Sequence, residues 1–504
     1  MTVSYTTSPP ENTSANLSEL RLAVAQTGNA GRILLPLGGL AIAAVFGWFA
    51  TLSGAGPGGD ATVTLLVFAA AVWFWTFTKV DDTYVALGAA TLLVLAGVIS
   101  TEGLFATLGD ETIWLLLAAF VIAAGLTSSG LTRRAAAFVV AGADTPRQLV
   151  HLVTASMVVT TFAMPSTSGR AALAVPVFTA LAAVLKDRPR LVRALALLIP
   201  SVILLSAVGS LLGAGAHLVT SQVVAAATGT GFDFVTWMLL GLPLALACSH
   251  VCAEIVLWMF TDRAERRTPV RLTVADMDND PAQPVTGPLS VYEVRAALLL
   301  AAVVTLWCTE PLHGVHPAIV ALIGALVATS PRYGSTTLNS GFKTVPWSML
   351  LFLAATLALG TALTTTGAAG WVAGALLGPF RGGTSPGLFV VVIVVVSALA
   401  HLLIQSRSAR SAVLIPVVVA VAPLAGVNPA AAAFASTAAA GFCHTLPSSA
   451  KPVGMFARLE GVPTYTPADL RRLSTLLAPA TIVLVLAFTW FVWPLLGLPL
   501  QLGK

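Results

Sequence analysis

One twelve-residue stretch occurs twice in this chain. Ser166-Thr167-Ser168-Gly169-Arg170-Ala171-Ala172-Leu173-Ala174-Val175-Pro176-Val177 returns 240 residues later as Ser406-Arg407-Ser408-Ala409-Arg410-Ser411-Ala412-Val413-Leu414-Ile415-Pro416-Val417, with six of the twelve positions identical. Each copy sets a polar Ser-x-Ser-x-Arg pentad between two apolar runs, 150–164 and 171–185 in the first, 388–404 and 411–425 in the second. None of these runs reaches the roughly 20 residues that a spanning helix needs. They predict helical hairpins that enter a membrane, turn at mid-depth and leave by the side they entered, each tip facing protein or a watered cavity. Two such tips, one per repeat, would meet at one site.

Composition supports a membrane. The 504 residues are 57% hydrophobic and 9% charged, with a mean hydropathy of +0.90, whereas soluble domains carry about 25% charged residues. Apolar segments at 33–53, 61–78, 83–100, 112–130, 194–225, 234–260, 293–310, 315–330, 345–366, 429–456 and 473–498 predict an all-α polytopic protein with about eleven spans plus the hairpins at 149–185 and 387–425. The polar residues 1–32 read as an uncleaved, disordered cytoplasmic tail. Residues 261–290 read as a cytoplasmic linker between a first half, 33–260, and a second half, 291–504.

A net charge of +5 would suggest nucleic acid in a soluble protein; here it sets orientation, and no nucleic-acid partner is expected. With the N-terminus in the cytoplasm, Arg170, Arg407, Arg410 and Lys451 fall at membrane depth, Arg381 and Lys504 fall outside, and the remaining 20 of the 26 Lys and Arg fall inside. That bias obeys the positive-inside rule and places the chain in the cell membrane, inner or plasma. The first hairpin then opens to the cytoplasm and the second to the outside, as in an inverted repeat. Ile113-Trp114-Leu115-Leu116 answers Pro346-Trp347-Ser348-Met349 at an offset of 233, with Ser129-Gly130 and Thr366-Gly367 ending both helices.

A second pair of features lies about 40 residues beyond each tip, where a long apolar span is interrupted: Gly209-Ser210-Leu211-Leu212-Gly213-Ala214-Gly215-Ala216-His217 in 194–225, and Thr445-Leu446-Pro447-Ser448-Ser449-Ala450-Lys451-Pro452 in 429–456. Broken helices of this kind supply ion and substrate ligands in transporters.

Charge then points to the cargo. Arg170, Arg407, Arg410, Lys451 and His217 cluster at the four discontinuities, while Glu254 is the one acid clearly inside a span. An intramembrane arginine must be paired or line an aqueous site, and the missing counter-charge would be an anionic substrate, aided by half-helix N-termini. In the alternative, Arg170 and Arg410 bond free carbonyls at their own tips, and the tip serines cap half-helices. His217 and Lys451, matched as Gly215-Ala216-His217 against Ser449-Ala450-Lys451, read as fixed cations in place of sodium, as proton carriers, or as caps. Cys248, His250, Cys252 and Glu254 hold metal-ligand types, but His250 points off the face that the cysteines share, so neither a metal site nor a cofactor is expected. His401 and His444 read as core histidines. No nucleophile–base pair or phosphate loop supports an enzyme.

At these motifs the chain, from about residue 110 to 460, resembles the divalent anion/sodium symporter family, the dicarboxylate, citrate and sulfate carriers of the ion-transporter superfamily. Family tips read Ser-Asn-Thr followed by Ala-Thr and a Leu/Ile-Pro, where this chain has Ser166 to Arg170 with Val175-Pro176, and Ser406 to Arg410 with Ile415-Pro416. The resemblance implies an elevator-type homodimer with scaffold and transport domains, and tip residues that bind substrate carboxylates and help form sodium sites. By position the substrate contacts would be Ser166, Thr167, Ser168, Ser406, Arg407 and Ser408, to which the charge argument adds Arg170 and Arg410. Gly213, His217, Pro447, Ser448 and Lys451 would stand at the ion-coupling or fixed-cation positions. Both tip asparagines of the family are replaced, by Thr167 and Arg407, and arginine is the fifth tip residue twice. The expectation is a secondary transporter of a small dianion, dicarboxylate or sulfate, held between Arg170 and Arg410 and working by sodium-independent exchange or proton coupling. The alternatives are a sodium-coupled symporter, an arsenite or sodium/proton carrier, and an anion channel or sensor.

Overall fold

The computed structural model describes residues 58–501 apart from 79, 271, 278–284, 378–384, 458, 460 and 463. The expected tail 1–32, the segment 33–53, Arg381 and Lys504 lie outside the described residues. What is described is helical, with nine helices long and apolar enough to cross a membrane and three shorter apolar ones, Asp82–Leu95, Pro317–Ala328 and Pro386–Leu402.

The helices fall into two matching series. In the first half they are α1 (Gly59–Phe77), α2 (Asp82–Leu95), α3 (Glu111–Ser129), α4 (Leu131–Ala141), α5 (Pro146–Ala163), α6 (Thr167–Val184), α7 (Pro189–Leu205), α8 (Gly215–Thr228) and α9 (Phe234–Phe260). In the second they are α10 (Val291–Cys308), α11 (Pro317–Ala328), α12 (Leu338–Thr344), α13 (Trp347–Thr365), α14 (Ala368–Leu377), α15 (Pro386–Leu399), α16 (Arg407–Val421), α17 (Pro429–Ala440), α18 (Lys451–Phe456) and α19 (Pro467–Ala487). The expected landmarks fall at equivalent places: α3 ends at Gly130 with φ 82°, and α13 is followed by Gly367 with φ 74°. Only glycine adopts such angles without strain.

Both polar pentads open a helix after a tight turn. Pro165 cannot continue α5 and disfavours helix at Met164; Ser166 then accepts the Gly169 N–H at 3.3 Å. Ser406 does the same for Ala409 at 3.3 Å. Both expected breaks are present. The first runs from Ser206 to Ala214 between α7 and α8, and the second from Gly441 to Ala450 between α17 and α18. Glycine makes the first break possible, because a Cβ on Gly213 would lie 2.1 Å from the Ala207 carbonyl oxygen and one on Gly241 of α9 would lie 2.0 Å from that of Val208.

The two series interlock. First-half α3 packs on second-half α11 and, in mirror fashion, α13 packs on α2. First-half α8 packs on hairpin helix α16, and second-half α18 on hairpin helix α6. Hydroxyls of Thr220 and Thr437 share a hydrogen bond of 2.6 Å between α8 and α17. The segment expected as a plain linker is partly packed in its described residues: Val270 and Val285 are buried, and Val270 N–H donates to the Asp144 carbonyl at 2.9 Å.

Candidate anion site

The two pentad arginines occupy equivalent positions, yet their surroundings differ. Arg170 is fully buried and its guanidinium is used up by protein. Nε donates to the Thr160 hydroxyl at 2.9 Å, Nη1 to the Ile203 carbonyl at 3.0 Å, and Nη2 to the Met157 carbonyl at 2.6 Å and the Ser206 hydroxyl at 2.7 Å. The break after α7 leaves that helix's last carbonyls without intrahelical donors, Ile203 among them. These are the surroundings of the carbonyl-capping alternative. The expected fork of Arg170 and Arg410 around one dianion is corrected on this point: Arg170 braces the first hairpin against α7.

Arg410 is also fully buried, but Nε, Nη1 and Nη2 find no hydrogen-bond partner among the described residues. The neighbouring Arg407 is partly exposed, with its Nη1 buried and unpartnered. Arg407 lies beside the second break, where a Cβ on Gly441 would come within 3.9 Å of Nη2. The hydroxyl of Ser411 is buried and unpartnered too. Uncompensated guanidinium in an interior is strongly unfavourable, so this tip calls for an anion in a way that the first does not.

Ser408 brings a helix terminus to the same place. A Cβ on Gly215 would stand 3.0 Å from Ser408 Oγ and 2.7 Å from Met349 Cε, so glycine lets the second tip close over the start of α8. Ala214 gives that fourteen-residue helix no side-chain cap, which leaves its first amides and positive dipole end for a ligand.

The remaining expected residues are dispersed. Ser166, Thr167 and Ser168 are half-buried at the first tip, whereas Ser448 and Lys451 are exposed and Pro447 is half-buried in the second break. His217 is a buried core residue, its Nδ1 3.0 Å from the Ser210 carbonyl and its ring stacked on Trp237. Its pairing with Lys451 is corrected by the backbone. The N-cap residues Ala214 (φ −160°, ψ 149°) and Ala450 (φ −157°, ψ 146°) are the equivalent positions, so Lys451 answers Gly215 and not His217. His401 bonds the Ala398 carbonyl and Thr445, and His444 Nε2 lies 3.2 Å from the Ser201 carbonyl, so both are satisfied core histidines. Glu254 bonds Arg147 and His151 and approaches neither tip arginine.

Sequence reasoning missed Asp82. Its carboxylate faces the Ser406 side chain and lies within electrostatic reach of Lys451. The available signal was length: α2, at fourteen residues, is too short to span, so one of its ends lies at depth.

Two cavities flank the hairpins at repeat-related positions. One, of about 680 Å³, lies between α3 and α6; the other, of about 420 Å³, lies between α13 and α16. Pro176 lines the first and Pro416 the second. The first cavity extends to its own tip, touching Pro165, Ser166 and Gly169, and also includes Arg133; the second stops at Pro416, six residues beyond Arg410. The first cavity therefore reaches its own tip, whereas the second lies along α16 beyond its tip.

The citrate transporter family model matches residues 72–439, nearly three quarters of the chain. The chain belongs to the citrate transporter family. A membrane protein of Cupriavidus necator is 26% identical over 61% of this chain and 60% of its own length. The citrate/succinate antiporter of Escherichia coli K12 is 25% identical over 62% of this chain and 64% of its own length. The matched region thus spans somewhat under two thirds of these relatives. Among solved structures, the YdaH transporter of Alcanivorax borkumensis covers 88% of this citrate transporter family member and 99% of that chain at 16% identity and a TM-score of 0.51. MtrF of Neisseria gonorrhoeae, described as representing a class of antimetabolite efflux pumps, covers 88% and 97% at 13% identity and a TM-score of 0.54. These two show a shared fold.

Proposed function

We propose that this chain is a secondary active transporter of citrate- and succinate-type carboxylates that works by sodium-independent exchange. The observation that carries the reading is the fully buried, unpartnered guanidinium of Arg410. Arg410 and Arg407 hold one substrate carboxylate, and the Ser408 hydroxyl and the free amides of α8 hold oxygens beside it. Guanidinium suits such a ligand because its planar fork matches a carboxylate and stays charged. Three cations, Arg407, Arg410 and Lys451, stand around this tip and its break, where a sodium ion would need oxygen ligands and no neighbouring cation. The E. coli relative is itself an antiporter of citrate and succinate, which favours exchange and these carboxylates over sulfate or proton coupling.

Cavities at repeat-related positions beside both hairpins support a carrier that alternates between two openings. An elevator-like movement of the hairpins, a homodimeric scaffold and a cell-membrane location with the N-terminus in the cytoplasm belong to the same proposal, the last supported by the 20 Lys and Arg on one side of the topology map. Counterflow of labelled citrate, succinate and sulfate into proteoliposomes, with and without sodium and a pH gradient, tests it. Exchange of the two carboxylates without sodium is the expected result. Strict sodium dependence, or counterflow undiminished in Arg410→Ala, overturns it.

A further inference from the structure

An outward-opening groove between α10 and α11 has no part in the site above. It encloses about 400 Å³ and runs between Leu298 and Leu306 on one helix and Ile323 and Val327 on the other. Leu298 is 65% and Ile323 54% exposed, so the groove faces the surroundings of the membrane domain.

One end of the groove is cationic. Arg295, just over one turn into α10, and Arg332, just beyond α11, each hold the guanidinium carbon 5.5 Å from the centre of the Tyr333 ring. Arg295 Nη1 also donates to the Arg332 carbonyl at 3.0 Å, which fixes the two segments to each other. Neither arginine has a carboxylate partner among the described residues. Glu293, two residues before Arg295 and so on another face of α10, is committed to Arg134 at 2.5 Å. Two arginines without acids, set on an aromatic ring at the mouth of an apolar trough, have the pattern of an anionic headgroup site with room for a chain below it.

We propose that this groove binds an anionic phospholipid, its phosphate between Arg295 and Arg332 and one acyl chain along Leu298, Leu306, Ile323 and Val327. The fork of arginine suits a phosphate, and the apolar trough selects a lipid over a free ion. The site lies at the end of the molecule that carries Arg134, where the chain's own charge bias already attracts anionic lipid. This inference is independent of the transport reading.

The test uses the delipidated full-length protein in neutral detergent, offered equal amounts of phosphatidylglycerol and phosphatidylcholine, with retained lipid counted by native mass spectrometry. Wild type is expected to prefer phosphatidylglycerol. Arg295→Ala/Arg332→Ala is expected to lose about tenfold of that preference, as two arginines near an anionic headgroup each contribute several-fold. Arg263→Ala, on another exposed basic segment, retains the preference, and unchanged gel-filtration profiles show that the variants are folded. Loss of the preference in Arg263→Ala as well, or its full retention in the double variant, overturns the proposal. So does displacement of the lipid by millimolar inorganic phosphate. A double variant that changes oligomeric state while keeping the preference identifies the groove as a contact between copies, and likewise overturns it.

Discussion

The hydroxyl of Ser408 stands 3.0 Å from the point where Gly215 would carry a Cβ. One residue belongs to the second hairpin and the other to the first half's broken helix, so the two halves meet at this tip. Gly215→Ala is expected to push Ser408 and Met349 away from the start of α8 and to lower carboxylate counterflow by about tenfold, the rate equivalent of about 1.4 kcal/mol. Membrane yield should be unchanged. Normal counterflow would remove Ser408 and α8 from the site.

Arg170 and Arg410 make opposite predictions for stability. Arg170→Leu removes four hydrogen bonds, to the Ile203 and Met157 carbonyls and the Thr160 and Ser206 hydroxyls, and should destabilise the protein by about 3 kcal/mol or more. Arg410→Leu removes an unpaired buried charge and should leave the empty protein as stable or more so. Thermal unfolding in detergent decides between them. Citrate or succinate should raise the Tm of wild type and fail to do so in Arg410→Leu.

With its carboxylate facing Ser406 and within electrostatic reach of Lys451, Asp82 is expected to compete with a substrate carboxylate for both. Asp82→Asn should therefore tighten the apparent KM for succinate, by about three- to tenfold if the competition is worth about 1 kcal/mol. Concentration series in proteoliposomes measure this; a weaker KM would make Asp82 a supporting residue instead.

Gly213→Ala tests the broken helix without touching the substrate. The added methyl would fall 2.1 Å from the Ala207 carbonyl oxygen, where backbone and not a movable side chain must yield. Overpacking of this kind costs about 1–3 kcal/mol or more. Reduced yield and a lowered Tm are expected, with the residual protein still selective for the same carboxylates.

Hairpin tips and breaks were legible because the constraints on them are local. A polar pentad amid apolar residues too few to span, or glycine and proline inside a span, leaves the backbone few solutions in a membrane. The unequal roles of Arg170 and Arg410 were not legible, since both sit in the same motif and both N–H groups bond the serine carbonyl four residues back, at 2.9 and 3.0 Å. What separates them is the company of the guanidinium, which comes from Met157 and Thr160 on α5 and from Ile203 and Ser206 some 33 to 36 residues away. The pairing of His217 with Lys451 failed for a related reason: alignment by residue type cannot place an N-cap, whereas the extended backbone of Ala214 and Ala450 does.

Sequence by itself determined an all-helical chain with many membrane-spanning segments, built from two copies of one pattern, because hydropathy and helix-breaking residues act on the chain near where they occur. Only the tertiary structure decided which arginine is spent on the protein and which is buried without a hydrogen-bond partner among the described residues. The halves pack crosswise, α8 on α16 and α18 on α6. A side chain's partners therefore come from the other half or from distant segments, and no spacing within one motif encodes them.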